Sequence, residues 1–218
     1  NTIVGGLAGD AITTGSSNIA VGYQALTTDT KGSRSVAVGF SALRFQANTS
    51  AVETYNVAVG HAAGEAVTTG LQNTIIGGLS GDAITTGSNN TTLGYAALSE
   101  NTTASNNTAV GHRALIVTTT GTQNTAVGAN AGFALTTGSN NTAFGFEALK
   151  NEDAHGNNTA IGTQALFALN AGADSHNTAV GYQAGAGVTT GTANTFVGGL
   201  CGSTSTTGTT NAGFGYGA

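Results

Sequence analysis

Residues 107–111 read Asn-Thr-Ala-Val-Gly, and variants of this phrase recur thirteen times along the 218-residue chain. Each copy ends in a glycine, the marker glycine, and ten of the twelve intervals between marker glycines share one 17-residue period, as from Gly94 to Gly111. Self-similarity at a short fixed period is typical of repeat proteins, in which each unit is completed only by its neighbours. So short a unit is too small to be a domain, and the repeat therefore predicts one coil of a stacked solenoid.

The phrase has the alternation of a short β-strand. The residue before the marker glycine is aliphatic or Phe in all thirteen copies, and the residue two positions earlier is mostly Thr, with Ile19, Val36 and Val57 as apolar exceptions. These two positions share one face of a strand. Their apolar tolerance predicts that this face points inward, with Ala on the other face of a strand covered on both sides. The predicted repeat core is Val4, Val21, Val38, Val59, Ile76, Val110, Val127, Val180, Gly5, Gly22, Gly111 and Ala114.

Three further positions repeat in phase with the strand. The invariant marker glycine predicts a strand end with positive φ or a close approach of two backbones. Asn stands four residues before it in twelve copies, which predicts a ladder of side-chain hydrogen bonds along the stack. A small residue stands three residues after it, Ala in eleven copies and Ser80 or Cys201 in the others. The next residue is Leu or Gly, which defines two kinds of coil.

Two intervals between marker glycines are longer than the rest, from Gly39 to Gly60 and from Gly162 to Gly181. Their extra residues predict loop insertions near 45–55 and 167–175. Loops on a rigid scaffold are candidate recognition sites. The chain opens and stops inside a repeat phrase, so we expect one repeat domain over residues 1–218 that is a segment of a longer fibrous protein.

Composition excludes several classes of function. The net charge is −5, only 7% of residues are charged and no basic patch is present, so nucleic acid is not an expected partner. No apolar run is long enough for membrane insertion of this segment. Cys201 is the only cysteine, and it occupies the small-residue position of its repeat, so it is interpreted as a buried core residue. No catalytic constellation, metal-ligand spacing or cofactor motif is found, and the chain is not expected to be an enzyme.

Aromatic residues or His directly follow the marker glycine in eight of the thirteen repeats. The favoured interpretation is a packed ladder of rings; the alternatives are a stripe that binds sugars or surfaces, and a threefold His cluster that binds a metal. The candidate surface-binding residues are Tyr23, Phe40, His61, Tyr95, His112, Phe146, Tyr182 and, in the first insertion, Tyr55.

The phrase Asn107-Thr108-Ala109-Val110-Gly111-x-x-Ala114 resembles the head repeats of trimeric autotransporter adhesins. It is also similar to repeats of phage tail fibres and related bacterial fibres. The resemblance implies that each repeat is one coil of a left-handed parallel β-roll and that three rolls pack about a common axis. It covers essentially the whole chain.

We therefore expect an all-β parallel β-roll of about thirteen 17-residue coils that forms a homotrimer. The expected function is an extracellular fibre shaft or adhesive head at a cell surface or on a virion, able to stack end to end in a longer fibre. One alternative is a cell-surface adhesin whose host ligand is a glycan or a protein. The other is an ice-binding solenoid, which the inward placement of the repeated Thr disfavours.

Overall fold

The computed structural model describes residues 1–218 and contains β-strands, turns and no helix. One three-residue strand is present in each of the thirteen repeats, and two further strands have two residues, one in the first insertion and one in the coil before it. In chain order the strands are β1 (Thr2–Val4), β2 (Ile19–Val21), β3 (Gly32–Ser33), β4 (Val36–Val38), β5 (Val52–Glu53), β6 (Val57–Val59), β7 (Thr74–Ile76), β8 (Thr91–Leu93), β9 (Thr108–Val110), β10 (Thr125–Val127), β11 (Thr142–Phe144), β12 (Thr159–Ile161), β13 (Thr178–Val180), β14 (Thr195–Val197) and β15 (Ala212–Phe214).

The chain divides into two compact units, residues 1–107 and residues 108–218. Within each unit, every repeat strand pairs in parallel with the strand of the next coil, residue for residue, as Ala126 pairs with Ala143. The predicted all-β parallel solenoid of about thirteen 17-residue coils is thereby confirmed, and each repeat contributes one strand to it. Its handedness, its trimeric state and the assignment of one repeat domain stay predictions. The structure holds no helix of the length and apolar character needed to cross a bilayer.

The predicted Asn ladder is confirmed. The side-chain oxygen Oδ1 of Asn124 accepts a hydrogen bond from the backbone amide of Asn141, at 2.9 Å, and Oδ1 of Asn141 accepts one from the amide of Asn158, at 3.0 Å. The Asn124 amide group also donates to the carbonyl of Gly138, in the turn of its own coil, at 2.7 Å. Each buried Asn therefore ties its strand to the neighbouring coil and to its own turn, which satisfies backbone groups that water cannot reach.

The strand faces are the reverse of the prediction. The middle residue of every repeat strand except the terminal β1 and β15 is buried, as in Ala20, Ala109 and Ala126, whereas the residues on either side are exposed or half-buried. Period-two alternation places Ala opposite Thr and Val but does not say which face is inside. In most coils the strand contributes only the methyl group of Ala, and a larger side chain such as Leu26 fills the rest of the interior. The exceptions are Ile75, Thr92 and Phe196.

The predicted core residues that precede the marker glycines consequently lie on the outer face. Val4 is 58% exposed and both Val59 and Ile76 are 36% exposed, while Val21, Val38, Val110, Val127 and Val180 are half-buried. Ala114, three residues after its marker glycine, is fully buried. The coil interior is therefore lined mainly by Ala and by larger apolar residues such as Leu26 and Ile84, and the Val column faces outward.

The marker glycines show both features predicted from their invariance, a positive φ angle and a close approach of two backbones. Their φ angles lie between 114° and 142°, a region that L side chains rarely adopt. A Cβ atom on Gly111 would lie 2.6 Å from the carbonyl oxygen of Gly128 in the next coil. Any side chain here would push adjacent coils apart.

The two kinds of coil differ in how they fill the same interior space. When Leu stands four residues after the marker glycine, the buried residue seven after it is usually polar, as in the pair Leu98 and Asn101. When Gly stands four after it, the residue seven after it is usually aliphatic, as in Gly132 and Leu135. A Cβ atom on Gly132 would lie 3.0 Å from Cδ1 of Leu135, so the Leu135 side chain already occupies that volume. The same position has positive φ in both kinds of coil, which favours Gly there.

Candidate interaction surfaces

The outer strand face carries an exposed apolar column. In residues 1–107 it runs through the residues before the marker glycines, from Val4 to Leu93, which is 46% exposed. In residues 108–218 it includes Phe144, 53% exposed, and Ile161, 38% exposed. Large aliphatic and aromatic side chains repeated in every coil of a face form a contiguous apolar patch, which is typical of an interaction surface.

A column of threonines lies beside the apolar column on the same face. In residues 108–218 its members are Thr108, Thr125, Thr142, Thr159, Thr178 and Thr195. All of them are exposed or half-buried, so the expectation that the repeated Thr points inward is wrong. Parallel strands set neighbouring members about 4.8 Å apart.

The predicted ring ladder is present where aromatic residues and His occur in consecutive coils. The rings of Tyr23 and Phe40 stack with centroids 5.5 Å apart, and the rings of Phe40 and His61 stack at 5.3 Å with an interplanar angle of 7°. All three side chains remain exposed. Because the ring faces meet one another, mainly their edges are presented to solvent.

The remaining residues of this stripe also lie at the surface. Tyr95, His112, Phe146 and Tyr182 are all exposed. In residues 108–218 the coil between His112 and Phe146 has Ala129 at this position, so no continuous ladder forms there. The eighth candidate, Tyr55, stands apart from the stripe in the first insertion.

The first insertion is anchored by a buried carboxylate in the preceding coil. Oδ1 of Asp29 accepts hydrogen bonds from the backbone amides of Gly32, at 3.1 Å, and Asn48, at 3.0 Å. Its Oδ2 accepts from Nε2 of Gln46, which is also buried. A charge buried in this way is tolerated because its oxygens are occupied by N–H donors.

The first insertion also contributes β5, which pairs in parallel with β3 of the preceding coil, and three side chains beside this two-stranded sheet point outward. Arg34 Nη2 lies 2.8 Å from Oε1 of Glu53, and Arg34 Nη1 donates to the Tyr55 hydroxyl at 3.0 Å. The Tyr55 hydroxyl in turn donates to Oε2 of Glu53 at 2.7 Å, and this bond raises the pKa of Tyr55. The three groups hold one another in place although about half of each charged side chain is exposed.

A surface groove of about 260 Å³ lies beside this triad. It is lined by serine hydroxyls, by the Arg34–Glu53 ion pair and by two small apolar residues: Ser16, Ser17, Ser33, Arg34, Ala51, Val52 and Glu53.

The second insertion has the same anchoring device. Glu152 is fully buried, and its Oε2 accepts a hydrogen bond from the backbone amide of Ala171 at 3.2 Å. Its Oε1 accepts from the amide of His155 at 3.1 Å and hydrogen-bonds with the His155 ring at 3.0 Å. Asp29 and Glu152 both stand seven residues after a marker glycine, in the coil directly before a long interval.

Glu152, Asp153 and His155 bring potential ligand atoms within 4.8 Å of one another. Both oxygens of Glu152 already accept hydrogen bonds from protein N–H groups. We therefore assign this cluster a structural role in holding the second insertion.

Comparison with protein-family models, with curated proteins and with solved structures finds no match to this chain. The class of protein follows from the fold itself, a parallel β-solenoid repeat protein with one 17-residue coil per repeat.

Sequence reasoning missed Arg34, Glu53 and the two buried carboxylates as members of a surface or an anchor. The sequence carried one signal that marked Arg34 as unusual. The residue five before each marker glycine is Ser, Thr, Asn, Gln or Ala in most repeats, but it is Arg34, Tyr55 or His176 beside the two insertions. This position adopts positive φ throughout and is exposed in nearly every coil, so departures from small polar residues there cannot be explained by packing.

Proposed function

We propose that the chain is a non-enzymatic segment of an extracellular fibre, serving as a shaft or adhesive head at a cell surface or on a virion. In this proposal it associates as a homotrimer and can stack end to end in a longer fibre. The supporting observation is the outer strand face, where an aliphatic or Phe side chain is repeated in every coil without an element of the chain covering it. Contact between copies through this face would remove apolar surface from water, at about 25 cal/mol for each Å² buried.

The geometry of the coil supports association in a second way. So short a coil, whose interior holds Ala and one or two larger side chains, encloses little apolar volume. Small cores rarely stabilise a fold without additional staples or oligomerisation. Burial of the outer Val column against identical chains would supply the second core that each coil lacks.

The mass of the native particle tests this proposal directly. Light scattering or native mass spectrometry is expected to give three times the mass of the 21.2 kDa chain. A monomer at micromolar concentration would contradict the trimer.

A host-ligand-binding adhesin remains compatible with the same scaffold, because the first insertion places Glu53 and Tyr55 at the surface beside Arg34 of the preceding coil. Glycans and proteins are the ligand classes proposed for that role. Sequencing of the flanking gene separates the two versions, since a membrane anchor supports the adhesin and a chaperone domain supports the fibre.

Ice binding is a second candidate function, favoured by the outward column of six threonines from Thr108 to Thr195. Each coil presents one hydroxyl and one methyl group at a regular spacing of about 4.8 Å, a pattern suited to ordering water. Threonine and apolar columns share one face, so a trimer that buries this face leaves none for ice. Thermal hysteresis in a monomeric sample would support ice binding, and its absence would remove it.

A further inference from the structure

We infer that the groove beside Arg34 and Glu53 binds a neutral sugar unit of a glycan. The inference rests on the attachment role within the proposed function, to which it adds a site and a ligand class. The groove of about 260 Å³ is shallow and open to solvent. Its size suits one ring of a saccharide better than a larger ligand, since sites for drug-sized molecules occupy about 300–1,000 Å³.

The lining has the mixture of groups that a sugar ring needs. Ser16, Ser17 and Ser33 line the groove. The hydroxyls of Ser16 and Ser33 lie 3.5 Å apart, and a hydroxyl that makes one hydrogen bond can still make another. Ala51 and Val52 contribute a small apolar surface for the C–H groups of a pyranose ring. A ligand with alternating hydroxyls and C–H groups matches this lining, whereas a purely apolar ligand would cover the serines and the ion pair without using their remaining hydrogen-bonding capacity.

Charge balance favours a neutral ligand. The Arg34 guanidinium is neutralised by the Glu53 carboxylate at 2.8 Å, and the Tyr55 hydroxyl bridges both groups, at 3.0 Å to Arg34 and 2.7 Å to Glu53. An anionic sugar would meet the Glu53 carboxylate, and a cation would meet Arg34. A neutral hydroxyl can use the remaining N–H groups of Arg34 and the remaining lone pairs of Glu53.

The site is held rigidly enough to act as a preformed receptor. Glu53 lies on β5, which pairs with β3, and Ser33 of β3 receives a hydrogen bond from the backbone amide of Ser16 at 3.0 Å. The insertion that carries Glu53 is tied to the preceding coil through Asp29 and the amide of Asn48. Preorganisation of this kind lowers the ordering cost of binding.

Saturation-transfer NMR on the full chain tests the inference. The probes are the methyl glycosides of glucose, galactose, mannose and N-acetylglucosamine, with the methyl glycoside of N-acetylneuraminic acid as the anionic comparison. We expect transfer to at least one neutral glycoside at millimolar concentration. Glu53→Ala should weaken that binding by about tenfold or more, because it removes hydrogen bonds to a charged acceptor.

The control is Gln72→Ala, which changes an exposed residue of the next coil, at the position that Tyr55 holds in its own repeat and outside the groove. It should leave the transfer unchanged, and thermal unfolding of both variants should stay close to that of the original chain, because both side chains are exposed and an exposed ion pair such as Arg34–Glu53 contributes little stability. The inference is overturned by the absence of transfer to every neutral glycoside, by equal transfer in Glu53→Ala, or by transfer to the sialoside alone. The mass of the particles in the same samples is measured separately. A trimer that binds no sugar therefore contradicts sugar binding in the groove but not the fibre proposal.

Discussion

The buried carboxylate of Asp29 accepts a hydrogen bond from the backbone amide of Asn48, 3.0 Å away, and so fastens the first insertion to the preceding coil. Glu152 makes the equivalent bond to Ala171 in the second insertion, at 3.2 Å. The long intervals are therefore built into the stack by buried anchors and are not simple surface additions.

Replacement of the first anchor should loosen the first insertion. Asp29→Ala leaves the buried amides of Gly32 and Asn48 without their acceptor, so we expect a loss of about 2–4 kcal/mol in the free energy of unfolding. The rate of backbone amide hydrogen exchange should rise across residues 45–55. The exposed Glu100 gives the control variant Glu100→Ala, which should leave both measurements unchanged. Unaltered exchange in the insertion of Asp29→Ala would show that the carboxylate is not its anchor.

The marker glycines should not tolerate a side chain. Gly111→Ala adds a Cβ atom 2.6 Å from the carbonyl oxygen of Gly128 at a φ of 133°, and we expect a loss of at least about 2 kcal/mol. Gly172→Ala is the control, because a Cβ atom there meets nothing within 4 Å. Denaturant unfolding of the two variants measures the difference, and equal midpoints would contradict the close approach of adjacent coils.

A coil with Gly four residues after its marker glycine should accept Leu there only if the residue seven after the marker glycine is changed as well. Gly132→Leu alone overpacks the interior, because its Cβ atom would lie 2.7 Å from Leu115 Cδ2 and 3.0 Å from Leu135 Cδ1. Adding Leu135→Asn creates the pair found in Leu98 and Asn101 and should recover about 1–3 kcal/mol. A double-mutant cycle on unfolding free energies measures this coupling. Additive effects of the two substitutions would contradict shared use of one interior space.

The carboxyl group of Asp82 should make stability depend on pH. Burial, and secondarily the Glu65 carboxylate in the adjacent coil, raise the pKa of Asp82. The folded state therefore holds its proton more tightly than the unfolded state, and the stability this contributes is complete below the ordinary pKa of Asp and is lost as pH rises through the raised value.

Asp82→Asn should consequently stabilise the protein at neutral pH, by less than about 1 kcal/mol because the group remains partly solvated. The gain should vanish as the pH falls below the ordinary pKa of Asp. Asp10→Asn is the control, since Asp10 holds the same place in its own coil and is exposed. Thermal unfolding across pH measures both variants. A gain for Asp82→Asn that persists at low pH would point to a cause other than this carboxyl group.

A charge on the outer strand face should disrupt association if that face joins the copies. Ile161→Glu places a carboxylate in the apolar column, and we expect light scattering to report the mass of a single chain. The exposed turn residue Thr137 gives the control variant Thr137→Glu, which should keep the native mass. If Ile161→Glu remains an oligomer, the copies contact one another through another surface.

Much of the fold could be predicted because its signals are local and repeated. The fixed interval, the glycine that needs positive φ and the buried Asn each recur in phase, so thirteen copies reinforce one interpretation. The candidate site was less predictable. Tyr55 and both insertions were recognised as irregular, but Arg34, which binds both Tyr55 and Glu53, becomes their neighbour only when the coils are stacked.

The sequence by itself determined the parallel solenoid, its period, the Asn ladder and the places where the period is interrupted. Only the tertiary structure decided which strand face is inside. Alternation puts Ala opposite Thr and Val, and the narrow interior, which already holds residues such as Leu26 and Leu115, takes the small Ala in most coils. The buried middle residues of the other internal strands are Ile75, Thr92 and Phe196. The anchors at Asp29 and Glu152 were likewise decided by tertiary structure, because their partners in the insertions are distant along the chain and reach them only through stacking.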